Sequence, residues 1–154
     1  TLAEAQDFIK AYFDQFPNVK KYIDETPDKA EEVGYVETLL GRRRYFPGLK
    51  EGGNVIVRNR MRRESINSPI QGSAADIMKL AMLRVDKALA ISDLGAKMLL
   101  QVHDELVLEC PADKADAVAK LVRKEMEAAY KLKVPLATEA KVGSNWEQMD
   151  ELKA

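Results

Sequence analysis

The stretch Met98-Leu99-Leu100-Gln101-Val102-His103-Asp104-Glu105-Leu106-Val107-Leu108-Glu109 decides how this chain is read. Two apolar runs, each of strand length, flank three consecutive ionisable residues. A short apolar run bounded by polar residues reads as a buried strand. The join lacks the Asn-Gly or Asp-Gly pair of the usual tight hairpin. The expectation is a rigid hairpin holding His103, Asp104 and Glu105 at its tip. Successive strand residues point to opposite faces, so Asp104 and Glu105 do not grip one ion side by side. A two-carboxylate site must then draw its second member from elsewhere in the protein. Spacing alone also allows a solvated turn at a sheet edge, the commoner fate of charged residues.

The 154 residues are enough for one domain with a sizeable core or for a piece of a larger one. With 46% hydrophobic and 32% charged residues, the composition is that of a soluble globular chain. No apolar run approaches the roughly 18 residues of a membrane span, and the first ten residues lack the layout of a signal peptide. The single cysteine, Cys110, forms no internal disulfide framework. With one histidine it makes a Cys/His zinc site implausible. A reducing cytoplasm is the natural location, and neither a membrane partner nor an obligate homo-oligomer is expected.

Net charge is −1, but its distribution is uneven. Seven of the nine arginines (Arg42, Arg43, Arg44, Arg58, Arg60, Arg62 and Arg63) lie between positions 42 and 63. That window carries +7, which leaves −8 for the remainder. A concentrated arginine block in an acidic chain is the footprint of a phosphate-rich partner. A solvated basic face is the competing explanation. Arginine's planar fork, suited to phosphate and base edges, brings the two level.

Along the chain, Thr1 and Glu4 form a capping box, and Ala5, Phe8, Ile9, Tyr12 and Phe16 share one face of the helix that follows. These aromatic positions read as core. Starting at a cap suggests a segment cut at an element boundary. Pro17 opens a second helix, which Pro27 is expected to kink or restart, with Thr26 as its new cap. Gly34 ends it. Residues 35–40 have strand character and enter a hairpin with arginines near its bend, followed by a Gly-rich loop through Gly52 and Gly53. Asn54 caps a helix to about Ile66, on which Asn59, Arg63 and Asn67 share a face.

Ser68-Pro69 is expected to start the longest helix, with Ile70, Ala74, Ile77, Met78, Ala81, Val85, Ala88 and Leu89 on one side. Its first turns, Gln71-Gly72-Ser73-Ala74-Ala75, are small enough for close approach by a backbone or a ligand. Past the central hairpin, Pro111 and Asp113 begin a helix bearing Ala115, Val118, Ala119, Val122, Met126 and Tyr130. Val134 to Val142 alternates as a strand does. Helices and strands without regular βαβ alternation make the fold class α+β with an antiparallel sheet.

Phosphate-loop, dinucleotide-binding, zinc-protease and nucleophile-elbow motifs are absent. Cys110 and His103 lack a third member for nucleophilic catalysis. What remains is a carboxylate tip, a basic block and the ladder Arg63, Asn67 and Gln71. Arg, Asn and Gln donate to the purine N3 and pyrimidine O2 acceptors that every base pair shows in the minor groove. Asp104 is a hard oxygen ligand suited to Mg²⁺, an ion that assists phosphoryl and nucleotidyl transfer.

Three blocks, in order, carry a resemblance: Gly34-Tyr35-Val36-Glu37-Thr38-Leu39-Leu40-Gly41-Arg42-Arg43-Arg44-Tyr45-Phe46-Pro47, Ile66-Asn67-Ser68-Pro69-Ile70-Gln71-Gly72-Ser73-Ala74-Ala75-Asp76, and Leu100-Gln101-Val102-His103-Asp104-Glu105-Leu106-Val107. The chain resembles the C-terminal part of the bacterial family A DNA polymerases over nearly its whole length. The resemblance implies that residues 1–53 are the end of the fingers and 54–154 the C-terminal half of a palm, with an antiparallel sheet and catalytic hairpin packed on long helices. It implies that Asp104 binds catalytic Mg²⁺ with Glu105 as neighbouring acid, and that His103 lies near the primer 3′ end. Arg63, Asn67 and Gln71 match side chains that contact primer–template DNA beside the nascent pair. Arg42, Arg43 and Arg44 are given phosphate or structural contacts.

The implied reaction joins a primer 3′-OH to the α-phosphate of a dNTP by a two-metal mechanism. The family's Asp-Tyr-Ser-x-Ile-Glu-Leu-Arg motif and its nucleotide-binding fingers helix do not occur here. They are expected before Thr1, in the remaining N-terminal part of the polymerase, so the chain alone is expected to be inactive. A stand-alone nucleic-acid-binding module and a metal-dependent nuclease are the rival readings.

Overall fold

The computed structural model describes residues 1–50 and 54–152. The expected Gly52–Gly53 loop lies outside them. The chain divides into two compact units, Thr1–Ser73 and Ala74–Ala154. The division falls inside a single 36-residue helix, α4 (Val55–Ala90). The fold is α+β, but among the described residues the strands make three separate two-stranded antiparallel ribbons where one sheet was expected.

In the first unit, Thr1 and Glu4 form the reciprocal capping box that starts α1 (Leu2–Gln15). The apolar face of α1 was expected to be core, yet no residue of this helix is buried and Phe8 is 75% exposed. Periodicity selects a face; whether a neighbour covers it is a tertiary matter. The aromatic residues instead pack on one another, with ring centroids 5.5 Å apart for Tyr12–Phe13 and 5.1 Å for Tyr12–Phe16.

Pro17 opens α2 (Pro17–Val33), and Gly34, at φ 89°, caps it with its N–H donated to the Ala30 carbonyl at 2.8 Å. Pro27 neither ends nor restarts α2. Proline forfeits one backbone donor, but Pro27 and Ala30 are both buried and Tyr22 Oη donates to the Ile66 carbonyl at 2.8 Å. Those anchors on either side outweigh the lost bond.

The expected strand 35–40 is only β1 (Tyr35–Glu37), paired with β2 (Arg43–Tyr45). The chain leaves β1 at Thr38, whose Oγ1 accepts from the N–H groups of Leu40 (3.3 Å) and Arg42 (3.1 Å), and Gly41 turns at φ 78°. α3 (Pro47–Lys50) follows. Ala30, Val36, Phe46 and Leu49 form the unit's core, with Met61 of α4 packed against it. Burying Phe46 and Leu49 is worth about 1.5–3 kcal/mol each.

Asn54 does cap α4, its Oδ1 accepting from the Ile56 N–H at 2.9 Å. The break expected at Ser68-Pro69 is absent. Serines run through this segment, and Ser65, Ser68 and Ser73 are all buried. Ser68 Oγ donates to the Glu64 carbonyl at 2.6 Å, and Ser73 Oγ to the Pro69 carbonyl at 2.5 Å. Packing carries the helix past its proline.

In the second unit, β3 (Lys97–Val102) pairs with β4 (Glu105–Glu109), with a register shift between Met98 and Leu100. Val85 and Leu89 of α4 join Val118 and Val122 of α5 (Ala115–Glu127) as the core, and Met98, Leu106 and Leu108 pack against it. The strand expected to be buried is not: Leu99, which the register shift leaves without a partner across the ribbon, and Leu100 are each 52% exposed. A short 3₁₀ turn, Ala112–Lys114, precedes α5, which ends before Tyr130. Of the expected strand 134–142, only β5 (Lys141–Val142) pairs, with β6 (Asp150–Glu151). Pro135, which has no N–H to donate, follows Val134 directly.

Candidate functional site

The hairpin tip is tighter than its sequence advertises. Val102 faces Glu105 across the ribbon, leaving His103 and Asp104 as a two-residue loop. Among the described residues, His103 is the one non-glycine with a positive φ, at 54°. Histidine, like Asn and Asp, is enriched among the uncommon non-glycine residues that occupy this region. Gln101 Nε2 reaches over the loop and donates to the His103 carbonyl at 2.8 Å. His103, Asp104 and Glu105 are all exposed, and neither carboxylate makes an ion pair with a described residue.

This tip fits a hard divalent cation in one respect and falls short in another. Asp104 offers free carboxylate oxygens on a short, pinned loop, with Glu105 beside it. Yet no group of three or more His, Cys, Asp or Glu suited to a metal occurs among the described residues. The described residues therefore supply no complete metal site at the tip.

On α4, Arg63, Asn67 and Gln71 recur at four-residue spacing and are exposed on one helix face. No described residue hydrogen-bonds or ion-pairs with their side chains. Their polar ends are available to an external ligand.

The other arginines differ sharply. Arg62 ion-pairs with Asp28 at 2.6 Å and with Glu31 at 3.1 Å, and Arg58 also engages Glu31. Glu64 accepts from Arg60 at 2.8 Å and from Arg44 at 2.7 Å. Arg44 also donates to Ser68 Oγ at 3.0 Å, and its guanidinium lies 5.2 Å from the Phe46 ring centre. Arg43 pairs with Glu37 at 2.7 Å and stacks 4.5 Å over Tyr35. Hydrogen bonding from Arg58 holds the Glu31 carboxyl below the usual glutamate range. Arg60, with Arg44 adding its charge, does the same for Glu64.

Arg43, Arg44, Arg58, Arg60 and Arg62 thus meet internal carboxylates, whose importance went unseen in the sequence. Only Arg60–Glu64, at i, i+4, was legible there. The small residues after Pro69 also find their reason. A Cβ on Gly72 would stand 2.6 Å from Thr38 Cγ2, and Ser73 Oγ accepts from the Leu39 N–H at 2.9 Å. That seam seats the β1–β2 loop on α4 one residue from Gln71.

Residues 1–148 match the family model described as DNA polymerase family A. The chain belongs to this family. It is 53% identical over 149 residues to DNA polymerase I of Deinococcus radiodurans, covering 94% of the chain and 15% of that protein. It is 50% identical over 143 residues to the thermostable DNA polymerase I of Thermus aquaticus, covering 93% of the chain and 17% of that protein. The family A chain therefore spans about one-sixth of the length of these relatives. It is also similar to the POL domain of Pol1 from M. smegmatis, whose structure is a complex with DNA primer-template and dNTP. There the TM-score is 0.81 at 45% identity, covering 88% of this chain and 24% of that one. No helix among the described residues is long and apolar enough to cross a membrane.

Proposed function

We propose that this family A segment works within a DNA-directed DNA polymerase, which extends a primer 3′-OH with deoxynucleotides and releases pyrophosphate. Residues 1–53 form the end of the fingers in this reading, and 54–154 the C-terminal half of the palm. The observation that carries it is the contrast on α4: the ladder Arg63, Asn67 and Gln71 has no partner among the described residues, while most neighbouring arginines are paired. A protein that holds any sequence reads the acceptors common to all base pairs, and this ladder carries the donors for them.

Asp104 is the principal ligand for Mg²⁺, with Glu105 as accessory acid and further carboxylates from outside this chain. Bound there, Mg²⁺ supplies Lewis-acid polarisation and charge neutralisation at phosphate oxygens. His103 lies on the primer side of the tip. Arg42, Arg43 and Arg44 serve mainly to build the β1–β2 hairpin and its attachment to α4.

Primer extension by the complete polymerase tests the assignment. Asp104→Ala is expected to lower turnover by at least about a thousandfold, and Glu105→Ala by less. Extension by the 154-residue chain alone, lost on Asp104→Ala, would overturn the view that this chain is half a site. Steep salt-dependent duplex binding with no extension by the complete protein would favour a binding module instead. DNA cleavage without nucleotides would favour a nuclease.

A further inference from the structure

The bond from Gln101 to the tip has no role in the reading above. It falls on the one carbonyl that sets the shape of the loop. In a two-residue hairpin loop, types I′ and II′ differ chiefly by rotation of the central peptide, whose oxygen belongs to the first loop residue. Here that oxygen is the His103 carbonyl. Type I′ needs a positive φ at both loop residues and type II′ only at the first. His103 is positive at 54° and Asp104 is not, so the loop lacks the paired positive φ of type I′.

A positive φ favours glycine, and His103 adopts one with a Cβ. A second interaction must hold the peptide, and Gln101 Nε2 at 2.8 Å provides it. Gln101 is well placed to do so. It sits in β3 opposite Leu106, two residues before the loop, on backbone fixed by the ribbon. Rotation of the 103–104 peptide would break this bond and carry Asp104 to positive φ, swinging its Cα–Cβ direction.

We propose that Gln101 is a positioning residue that locks the His103–Asp104 peptide in one orientation and so aims the Asp104 carboxylate at its cation. The inference rests on Asp104 as the metal ligand. Residues that orient a ligand without touching the metal typically govern about tenfold or more of its affinity.

The test uses the complete polymerase with primer–template and a non-hydrolysable dNTP analogue, measuring Mn²⁺ affinity by electron paramagnetic resonance. Gln101→Met keeps the length and removes the donor. It is expected to weaken Mn²⁺ binding about tenfold, raise the Mg²⁺ concentration needed for half-maximal extension equally, and leave primer–template affinity unchanged. Gln101→Arg restores a donor but adds a charge, so its reading is the extension rate at saturating Mg²⁺, expected to exceed that of Gln101→Met. Unchanged Mn²⁺ affinity in Gln101→Met would overturn the proposal, as would loss of primer–template affinity alone, which marks a direct DNA contact. A fall in melting temperature without a metal effect would also overturn it. Asp104→Ala separates the two levels: if it leaves Mn²⁺ binding intact, the ligand assignment fails first.

Discussion

Arg62 and Arg63 are sequence neighbours on α4 with opposite surroundings. Arg62 divides its guanidinium between Asp28 and Glu31, at 2.6 and 3.1 Å. Arg63 is exposed and meets no carboxylate among the described residues. A 100° step around the helix turns one toward α2 and the other away from it. Charge density along the sequence therefore overstates the basic surface on offer.

Arg63→Ala should cost about 1–3 kcal/mol in primer–template affinity of the complete polymerase, with little change in melting temperature. Arg62→Ala should do the reverse, leaving DNA affinity intact and lowering stability by no more than about 1 kcal/mol, because its ion pairs are half-exposed. Equilibrium DNA binding and thermal melting of both variants check this. Equal losses of affinity would refute the division of labour.

Asn67 and Gln71 extend the same face. Asn67→Ala and Gln71→Ala should each raise KM for primer–template, and the double variant should approach additivity if each side chain meets a separate base. Their thermal stability should match the parent, since neither side chain has a partner among the described residues. Steady-state extension across DNA concentrations reads the effect.

Gly72→Ala is expected to destabilise despite alanine's better helix propensity, worth about 1 kcal/mol. The new methyl meets Thr38 Cγ2 at 2.6 Å, and Thr38 cannot rotate freely because its Oγ1 already serves Leu40 and Arg42. Overpacking costs typically about 1–3 kcal/mol, so a net loss of roughly 1 kcal/mol should appear in urea denaturation. Thr38→Ser in the same background, which removes the clashing methyl, should recover it.

Acid should loosen the first unit through Glu31 and Glu64. Both carboxyls are held below their ordinary range, Glu31 first by Arg58 and Glu64 first by Arg60. A lowered folded-state pKa gives stabilisation that is complete above the unfolded glutamate value. It is lost as pH falls through the folded one. Stability should therefore decline on the acid side of the usual glutamate range, and Glu31→Gln with Glu64→Gln should flatten that limb. High salt should shrink the difference. A parent and double variant with parallel acid limbs would contradict the assignment.

Much of the site was legible where chemistry and local geometry coincide. Helix spacing alone put Arg63, Asn67 and Gln71 on one face, and two apolar runs around three ionisable residues announced the His103–Glu105 tip. Capping chemistry placed Thr1, Pro17, Gly34 and Asn54 correctly, because each acts on backbone groups within a few residues of itself. The helix does not restart at Pro27, and the break expected at Pro69 did not occur. Proline's local cost is a single lost donor and some crowding, which packing by Ala30, Ser65 and Ser68 overcame.

What the sequence determined by itself was therefore the family, the types of element and the identity of the tip and ladder residues, all set by short-range spacing and side-chain chemistry. Tertiary structure alone decided which carboxylates the paired arginines engage and that Arg63 meets none among the described residues. Asp28, Glu31 and Glu64 lie as far as 34 residues from the guanidinium groups they engage. It also decided that Thr38 needs a glycine at 72, and that α1 stays uncovered and Leu99 and Leu100 exposed. Ion pairing, close approach and burial depend on which surfaces meet, and no local pattern contains that information.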